Sequence, residues 1–306
     1  MTIQAAAGTP QYSGTFIPEI WSGKLLVKFY AATVIAAITN TDYEGEIADV
    51  GDKVKIRTVP DIIIRDYAKN QSLQIQRPES PNVELTIDKA KYFNFICDDI
   101  DKHQTDIALM ESWSTDASEQ MKIVVDTEFL EETYPDADSA NQGLTAGLDS
   151  GDINLGVSGT PLALSKANIL DVLVDVGTVF DEQNVPEESR SIILPPWACG
   201  MIKKSDLKDA SLAGDGTSIL RNGRVGMIDR LLIFHSNLLN TVTDGSYKVW
   251  NIIACQRNAV TFAAQMTKME SLRAESTFGT LVRGLNVYGY DTLKPSALAH
   301  IYARKG

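Results

Sequence analysis

The stretch DIALMESWSTDASEQMKIVVDTEFLEETY, residues 106–134, decides how the rest of the chain is read. Ile107, Met110, Trp113, Ala117, Met121, Val125 and Phe129 recur at steps of three or four, which places all seven on one face of a helix. Thr105 or Asp101 caps its start, acidic residues crowd its first turn, and Pro135 cannot continue the hydrogen-bond ladder. At a rise of roughly 1.5 Å per residue such a helix runs about 44 Å, far beyond the usual length of about 11 to 12 residues. Its other side, Glu111, Thr115, Ser118, Lys122 and Asp126, is polar. It is therefore predicted to lie as a spine along the surface of a sheet, not to be buried all round.

The chain around this helix has the composition of an ordinary folded protein. Its 306 residues, 44% hydrophobic and 22% charged, suffice for one elongated domain with lobes or for two domains. Apolar runs such as Ala31 to Ile38 fall far below the ~20 residues that cross a bilayer. The start lacks the basic-then-apolar pattern of a secretion signal. The expectation is a soluble chain made inside the cell, with no membrane partner. Cys97, Cys199 and Cys255 lie far apart in apolar surroundings and read as free, buried thiols. A net charge of −12 argues against wrapping nucleic acid through phosphate contacts, which needs clustered Lys and Arg.

On the N-terminal side, Met1 to Thr15 is small and polar without an apolar period, and reads as an arm. Pro18 to Ala32 places Trp21, Leu25, Phe29 and Ala32 on one helical face, an amphipathic helix that must dock on something. From Glu46 to Cys97 the period changes to two. Val54 and Ile56 alternate with Lys55 and Arg57, and Val83, Leu85 and Ile87 alternate with Glu84, Thr86 and Asp88, predicting two half-buried strands. Between them lies a long hairpin ribbon with a charged, polar tip, Arg65, Asp66, Lys69, Asn70 and Arg77 beside Ile62, Ile63 and Ile64. A two-stranded ribbon is marginal in water, so a neighbouring subunit is expected to hold it.

On the C-terminal side, Asp136 to Thr160, rich in Gly, Ser, Asp and Asn, reads as an exposed linker or excursion. A separate lobe follows. Ser165 caps a helix to about Gln183, with Ile169, Leu170, Leu173, Val176 and Phe180 on its buried side. Ser191 to Leu194 is a short strand stopped by Pro195 and Pro196, an irregular segment covers Asp209 to Gly216, and strands follow at Leu231–Phe234, Tyr247–Ala254 and Ala259–Phe262. Met266 to Ser276 and Gly284 to Tyr290 resume a strand pattern that can pair beside the spine.

Little of this sequence carries chemistry. His235 beside Ser236 is not a triad, because adjacent side chains on a strand point apart, and His103 and His300 have no evident partners. Asp98, Asp99, Asp101 and Asp106 suit a helix N-terminus without any metal. Asp136, Asp138 and Gly143 lack the sixth-position glycine and closing Glu of a calcium loop. Gly223 and Gly226 lack the third glycine of a dinucleotide fingerprint. No cofactor, metal ligand or catalytic residue is assigned. Arg57, Arg65, Lys69 and Arg77 are interleaved with Asp61, Asp66 and Glu79, which favours an ion-pair surface between subunits over nucleic-acid contact.

The order of arm, docking helix, long ribbon, spine helix and separate α/β lobe resembles the major capsid proteins of tailed bacteriophages. Phe16-Ile17-Pro18-Glu19-Ile20-Trp21-Ser22, Tyr43-Glu44-Gly45-Glu46 with Gly51-Asp52-Lys53-Val54, Asp181-Glu182-Gln183-Asn184-Val185-Pro186 with Arg190 and Pro195, and Gly226-Met227-Ile228 before Phe234-His235-Ser236-Asn237 are similar to that family's recurring segments. The resemblance implies an α+β chain of the Hong Kong 97 capsid fold. It implies an N-terminal arm and docking helix (1–45), an extended β-hairpin loop (46–97), a peripheral domain with the spine helix (98–163 and 259–306) and an axial α/β domain (164–258).

By the same resemblance the chain is a non-enzymatic subunit that self-assembles into hexamers and pentamers of an icosahedral head. The head encloses double-stranded DNA without sequence-specific binding, and scaffolding, portal and decoration proteins are further expected partners. The chain would be made in the host bacterial cytoplasm and end in the virion. Arg57, Arg65, Asp66, Lys69 and Arg77 are the residues expected at contacts between subunits. Some relatives crosslink a loop lysine to an asparagine; Lys69 is the lysine near the tip, and no matched partner for it is evident. Two rivals are a nanocompartment shell of the same fold around a cargo enzyme, and a carboxylate- or metal-dependent enzyme built on the Asp-rich region before the spine.

Overall fold

The computed structural model describes residues 31, 33–42, 53–60, 62–79, 82–99, 109–205, 226–275 and 277–306, without the side chains of 109, 110 and 265–267. The docking helix at Pro18–Ala32, apart from Ala31, and the caps Thr105 and Asp101, His103 and the segment Asp209–Gly216 lie outside these residues.

A short helix α1 (Ile35–Ile38) precedes strands β1 (Lys53–Arg57), β2 (Asn82–Thr86) and β3 (Lys89–Asp98), and the spine α2 covers Leu109–Thr133. Next come β4 (Leu162–Leu164), α3 (Ile169–Glu182), β5 (Arg190–Leu194) and α4 (Pro196–Lys204). The chain then forms β6 (Met227–Ile228), β7 (Leu231–His235), β8 (Thr241–Asp244), β9 (Tyr247–Gln256), β10 (Val260–Arg273), β11 (Gly279–Thr292) and β12 (Leu298–Lys305).

Among the described residues these strands make three sheets. β1 and β2 pair antiparallel, Lys53 opposite Thr86 and Arg57 opposite Asn82. β10, β11 and β3 form a three-stranded antiparallel sheet beside the spine, with Val282 opposite Phe95 and Tyr288 opposite Lys89. The third sheet has seven strands in the order β4-β12-β9-β5-β7-β6, with β8 on β9, and is parallel only at β4/β12 and β5/β7. β5 is buried at every position, as expected of a strand covered on both faces. One covering layer is α3, whose Ile169, Leu173, Val176 and Phe180 are buried, as its spacing predicts, while Leu170 is partly buried.

The sequence gives no expectation of α4. Pro195 ends β5 and Pro196 opens the helix at its first position, where its missing N–H is no loss; Lys203 and Lys204 sit in the last turn, where the helix dipole favours cations.

Three placements go beyond what local sequence shows. β12, the last strand of 259–306, lies inside the seven-stranded sheet, between β4 and β9. Its Leu298, Ala299, Ile301, Tyr302 and Ala303 are buried, a pattern that fits an interior strand. The segment Asp136–Thr160 is exposed over much of its length but anchored at buried positions, so it is not a free linker. Ala146 and Leu155 are wholly buried, and Asn141 donates to the carbonyls of Ser296 and Leu298. Isolated bridges Gly143/Gly156 and Ala146/Ile153 satisfy its backbone where regular periodicity is missing. Third, Asp126 is not on a solvated face of the spine but 1% exposed, because its carboxylate receives the N–H groups of Val34 and Ile35. The apolar stripe is well buried only toward the C-terminal end of α2, at Val125, Phe129 and Leu130; Trp113 stays 41% exposed.

Candidate assembly surface

The ribbon is anchored at its base and bare at its tip. At the base, Leu85, Ile87 and Ala263 form a small core with Val54, Ile56 and Val287 against it. Glu84 accepts charge from Lys55 at 3.1 Å and Lys53 at 3.8 Å across the β1/β2 pair, and these lysines hold its carboxyl below the usual range. Gly289 makes the junction possible, since a Cβ there would collide with the Thr86 carbonyl where β2 crosses β11.

The sheet behind this base is tied to the spine by charge. Lys89 contacts Glu128 at 3.2 Å and Glu132 at 2.6 Å, and Lys91 contacts Glu128 at 2.6 Å. Tyr288 and Tyr290 donate to Glu128 and Glu132. Burial opposes the charge on Glu128, but Lys91, Lys89 and Tyr288 outweigh it and hold its pKa below the ordinary value. Burial also opposes the Lys89 charge, and Glu132 and Glu128 reverse that, raising its pKa. Both tyrosines are pushed up by burial and by the adjacent carboxylates, which keeps their hydroxyls protonated as donors at neutral pH.

Beyond β1 and β2, the described residues of 58–79 belong to no strand. The turn at the tip is local: Gln71 N–H donates to the Ala68 carbonyl, Ala68 N–H to the Gln71 side chain, and Asn70 adopts φ 68°. A bond from Ile63 N–H to the Gln76 side chain at 3.0 Å spans the two arms. Arg57, Arg65, Asp66, Lys69 and Arg77 are all exposed here, and no ion pair joins any of them to another described residue. The structure places them on one projection but does not bring them together. The expectation of a charged, polar tip is incomplete, because Val59, Ile62, Ile63, Ile64, Tyr67, Leu73 and Ile75 are also strongly exposed. Leu73 and Ile75 lie in an alternating stretch, Gln71-Ser72-Leu73-Gln74-Ile75-Gln76-Arg77, a pattern that marks a strand face but not its exposure.

Groups that elsewhere suggest chemistry serve the fold here. Asp99 pairs with Arg273, Asp136 accepts from Thr292, and Asp138 caps Ala140. His235 is exposed at the end of β7, while Ser236 is buried and accepts from Leu238 N–H. His300 is partly buried between Tyr134 and Tyr302, with Nε2 3.0 Å from Asn251 Oδ1, and burial pushes its pKa down to about 4. Cys97, Cys199 and Cys255 are free and buried, and burial raises the Cys255 thiol to about 11. Among the described residues no three His, Cys, Asp or Glu side chains gather in a way that could hold a metal ion, and no helix is long and apolar enough to cross a membrane.

No protein-family model and no curated protein matches this sequence. Solved structures do. A chain from Mycobacterium phage Che8 superposes with a TM-score of 0.77 at 25% identity, over 94% of this chain and 97% of that one. The capsid structure of the cyanophage P-SCSP1u matches at TM-score 0.73 and 16% identity, over 95% and 94% of the two chains. The mature capsid of bacteriophage PhiM1 matches at TM-score 0.65 and 14% identity, over 94% and 91%.

Proposed function

We propose that this chain, which has the Hong Kong 97 fold of tailed-bacteriophage major capsid proteins, is a shell subunit whose function is repeated self-association into hexamers and pentamers around double-stranded DNA. The observation that carries the reading is the match to phage capsid structures over 94–95% of this chain. The exposed loop supports it. Seven large apolar side chains left in water are unusual for a monomer and ordinary for a surface that meets another copy. In this reading 46–97 is the extended loop that reaches a neighbour, the spine and three-stranded sheet form the periphery of the subunit, and the lobe around α3 faces the capsomer centre. Arg57, Arg65, Asp66, Lys69 and Arg77 supply ion pairs across subunits, and many modest contacts multiplied by symmetry replace any catalytic residue. Scaffolding, portal and decoration proteins are its partners in a virion.

The test is electron microscopy of the purified protein, expressed with and without the genes beside its own. Closed shells are the expected result; a monomer at high concentration under both conditions overturns the reading. Within shells, Arg65→Glu and Lys69→Glu are expected to lower particle yield several-fold while leaving subunit unfolding within about 0.5 kcal/mol of the parent, as for exposed positions elsewhere. Unchanged yield removes these residues from the interface.

A further inference from the structure

β3 is an edge strand of ten residues. It pairs with β11 on one side, and among the described residues no strand pairs along its other side. Folded proteins defend such edges with charge, proline or brevity. Here the stretch Tyr92-Phe93-Asn94-Phe95-Ile96-Cys97 carries no charge and no proline, and Tyr92 is 79% exposed. The sheet's other edge, β10, is defended: Lys268, Glu270 and Arg273 lie within six residues of one another. The remaining open edges, β1, β2, β4, β6 and β8, have at most five residues, and β1 and β2 carry Lys53, Lys55, Arg57 and Glu84.

The loop offers the complementary element. Residues 71–77 alternate polar and apolar with a period of two, the pattern of a strand with one face to bury, yet they belong to no ladder, and Leu73 and Ile75 are 75% and 91% exposed. These seven residues are close to the length of the six uncharged positions of β3 and too long for β1, β2, β4, β6 or β8.

We infer that Gln71–Arg77 of one copy adds as a strand to the outer edge of β3, at Tyr92–Cys97, of a second copy. This rests on the shell reading above and names its contact. Backbone bonds to the edge would supply affinity, and Leu73 and Ile75 would lie over the aromatic and aliphatic side chains of β3, which sets the register. The charged groups Arg65, Asp66 and Lys69 then sit at the turn beyond the added strand, where they pair at its rim.

Hydrogen exchange on the unmodified protein tests this. Alternate amides of Tyr92–Cys97 point to the open edge, and their exchange is expected to slow by about tenfold or more between dissociated subunits and assembled particles. Equal exchange in both states overturns the strand addition while leaving the shell reading intact, as does strong protection already present in dissociated subunits. Failure of the unmodified protein to form particles overturns both. A second variant, Gln74→Pro, removes the Gln74 backbone donor, which makes no backbone bond to another described residue. It is expected to weaken assembly at least as much as Lys69→Glu, with subunit stability unchanged; assembly at the parental level counts against the pairing.

Discussion

The carboxylate of Asp126 accepts the backbone N–H of Val34 at 2.9 Å, joining the middle of the spine to a segment 92 residues earlier in the chain. Its second oxygen takes the N–H of Ile35 at 3.0 Å, so one side chain satisfies two donors at the start of α1 that have no helical partner. Burial raises its pKa, and the two backbone N–H groups oppose that rise. Asp126→Ala strands both donors, and urea unfolding of dissociated subunits is expected to show a loss of about 3 kcal/mol. Asp126→Asn, which keeps one acceptor, is expected to lose less. Equal stability of parent and alanine variant would remove the clamp from the account of how the N-terminal segment is held.

Arg190 is the largest fully buried side chain that carries a charge. It donates to the carbonyls of Pro186 and Val185 and to Asp181, and its guanidinium lies 5.7 Å from the Phe180 ring centre. Asp181 is shared with Arg230 at 2.7 Å; burial opposes its charge, and the two arginines hold its pKa below the ordinary value nonetheless. Arg190→Met fills similar volume but leaves these acceptors unpaired in the turn between α3 and β5. The expected cost is about 3 to 5 kcal/mol, measured by denaturant unfolding. Arg230→Met, at an exposed ion pair, is expected to cost about 1 kcal/mol or less.

His300 gives the fold a pH dependence of known sign. Its pKa is depressed to about 4 in the folded chain from an ordinary 6.5, so the unfolded chain takes up the proton first. The stability it contributes is complete above pH 6.5 and is lost progressively as pH falls toward 4. Between pH 7 and pH 5 the parent is expected to lose roughly 2 kcal/mol relative to His300→Gln, which cannot titrate. Glu128 adds to the loss further down, because its depressed pKa means its contribution disappears only as pH falls through that lowered value. Parallel pH profiles for parent and glutamine variant would show that His300 does not carry the effect.

Regular periodicity made most of the fold legible. The steps of three and four in α2 and α3, and the alternation in β1 and β2, are local signals that the structure obeys. What escaped depends on partners remote in sequence. Asp126 reads as solvated because nothing near it in the chain announces Val34 and Ile35. Residues 136–160 read as a linker because their backbone is satisfied by single bridges and by glycines at positive φ, among them Gly143 and Gly156, which leave no repeating pattern. At the assembly surface the charged residues were visible by type, whereas the exposure of Leu73 and Ile75 was not, since an alternating segment ordinarily predicts burial within its own chain.

The place of β12 bears on how the chain is made. β4 has no described partner except β12, and β9 meets β12 along seven of its residues, Val249 to Cys255. The seam of the seven-stranded sheet therefore stays open until β12 has left the ribosome, however far the rest of the lobe has folded. Closing it waits on pairing between strands distant in the chain, a slow step compared with local contacts.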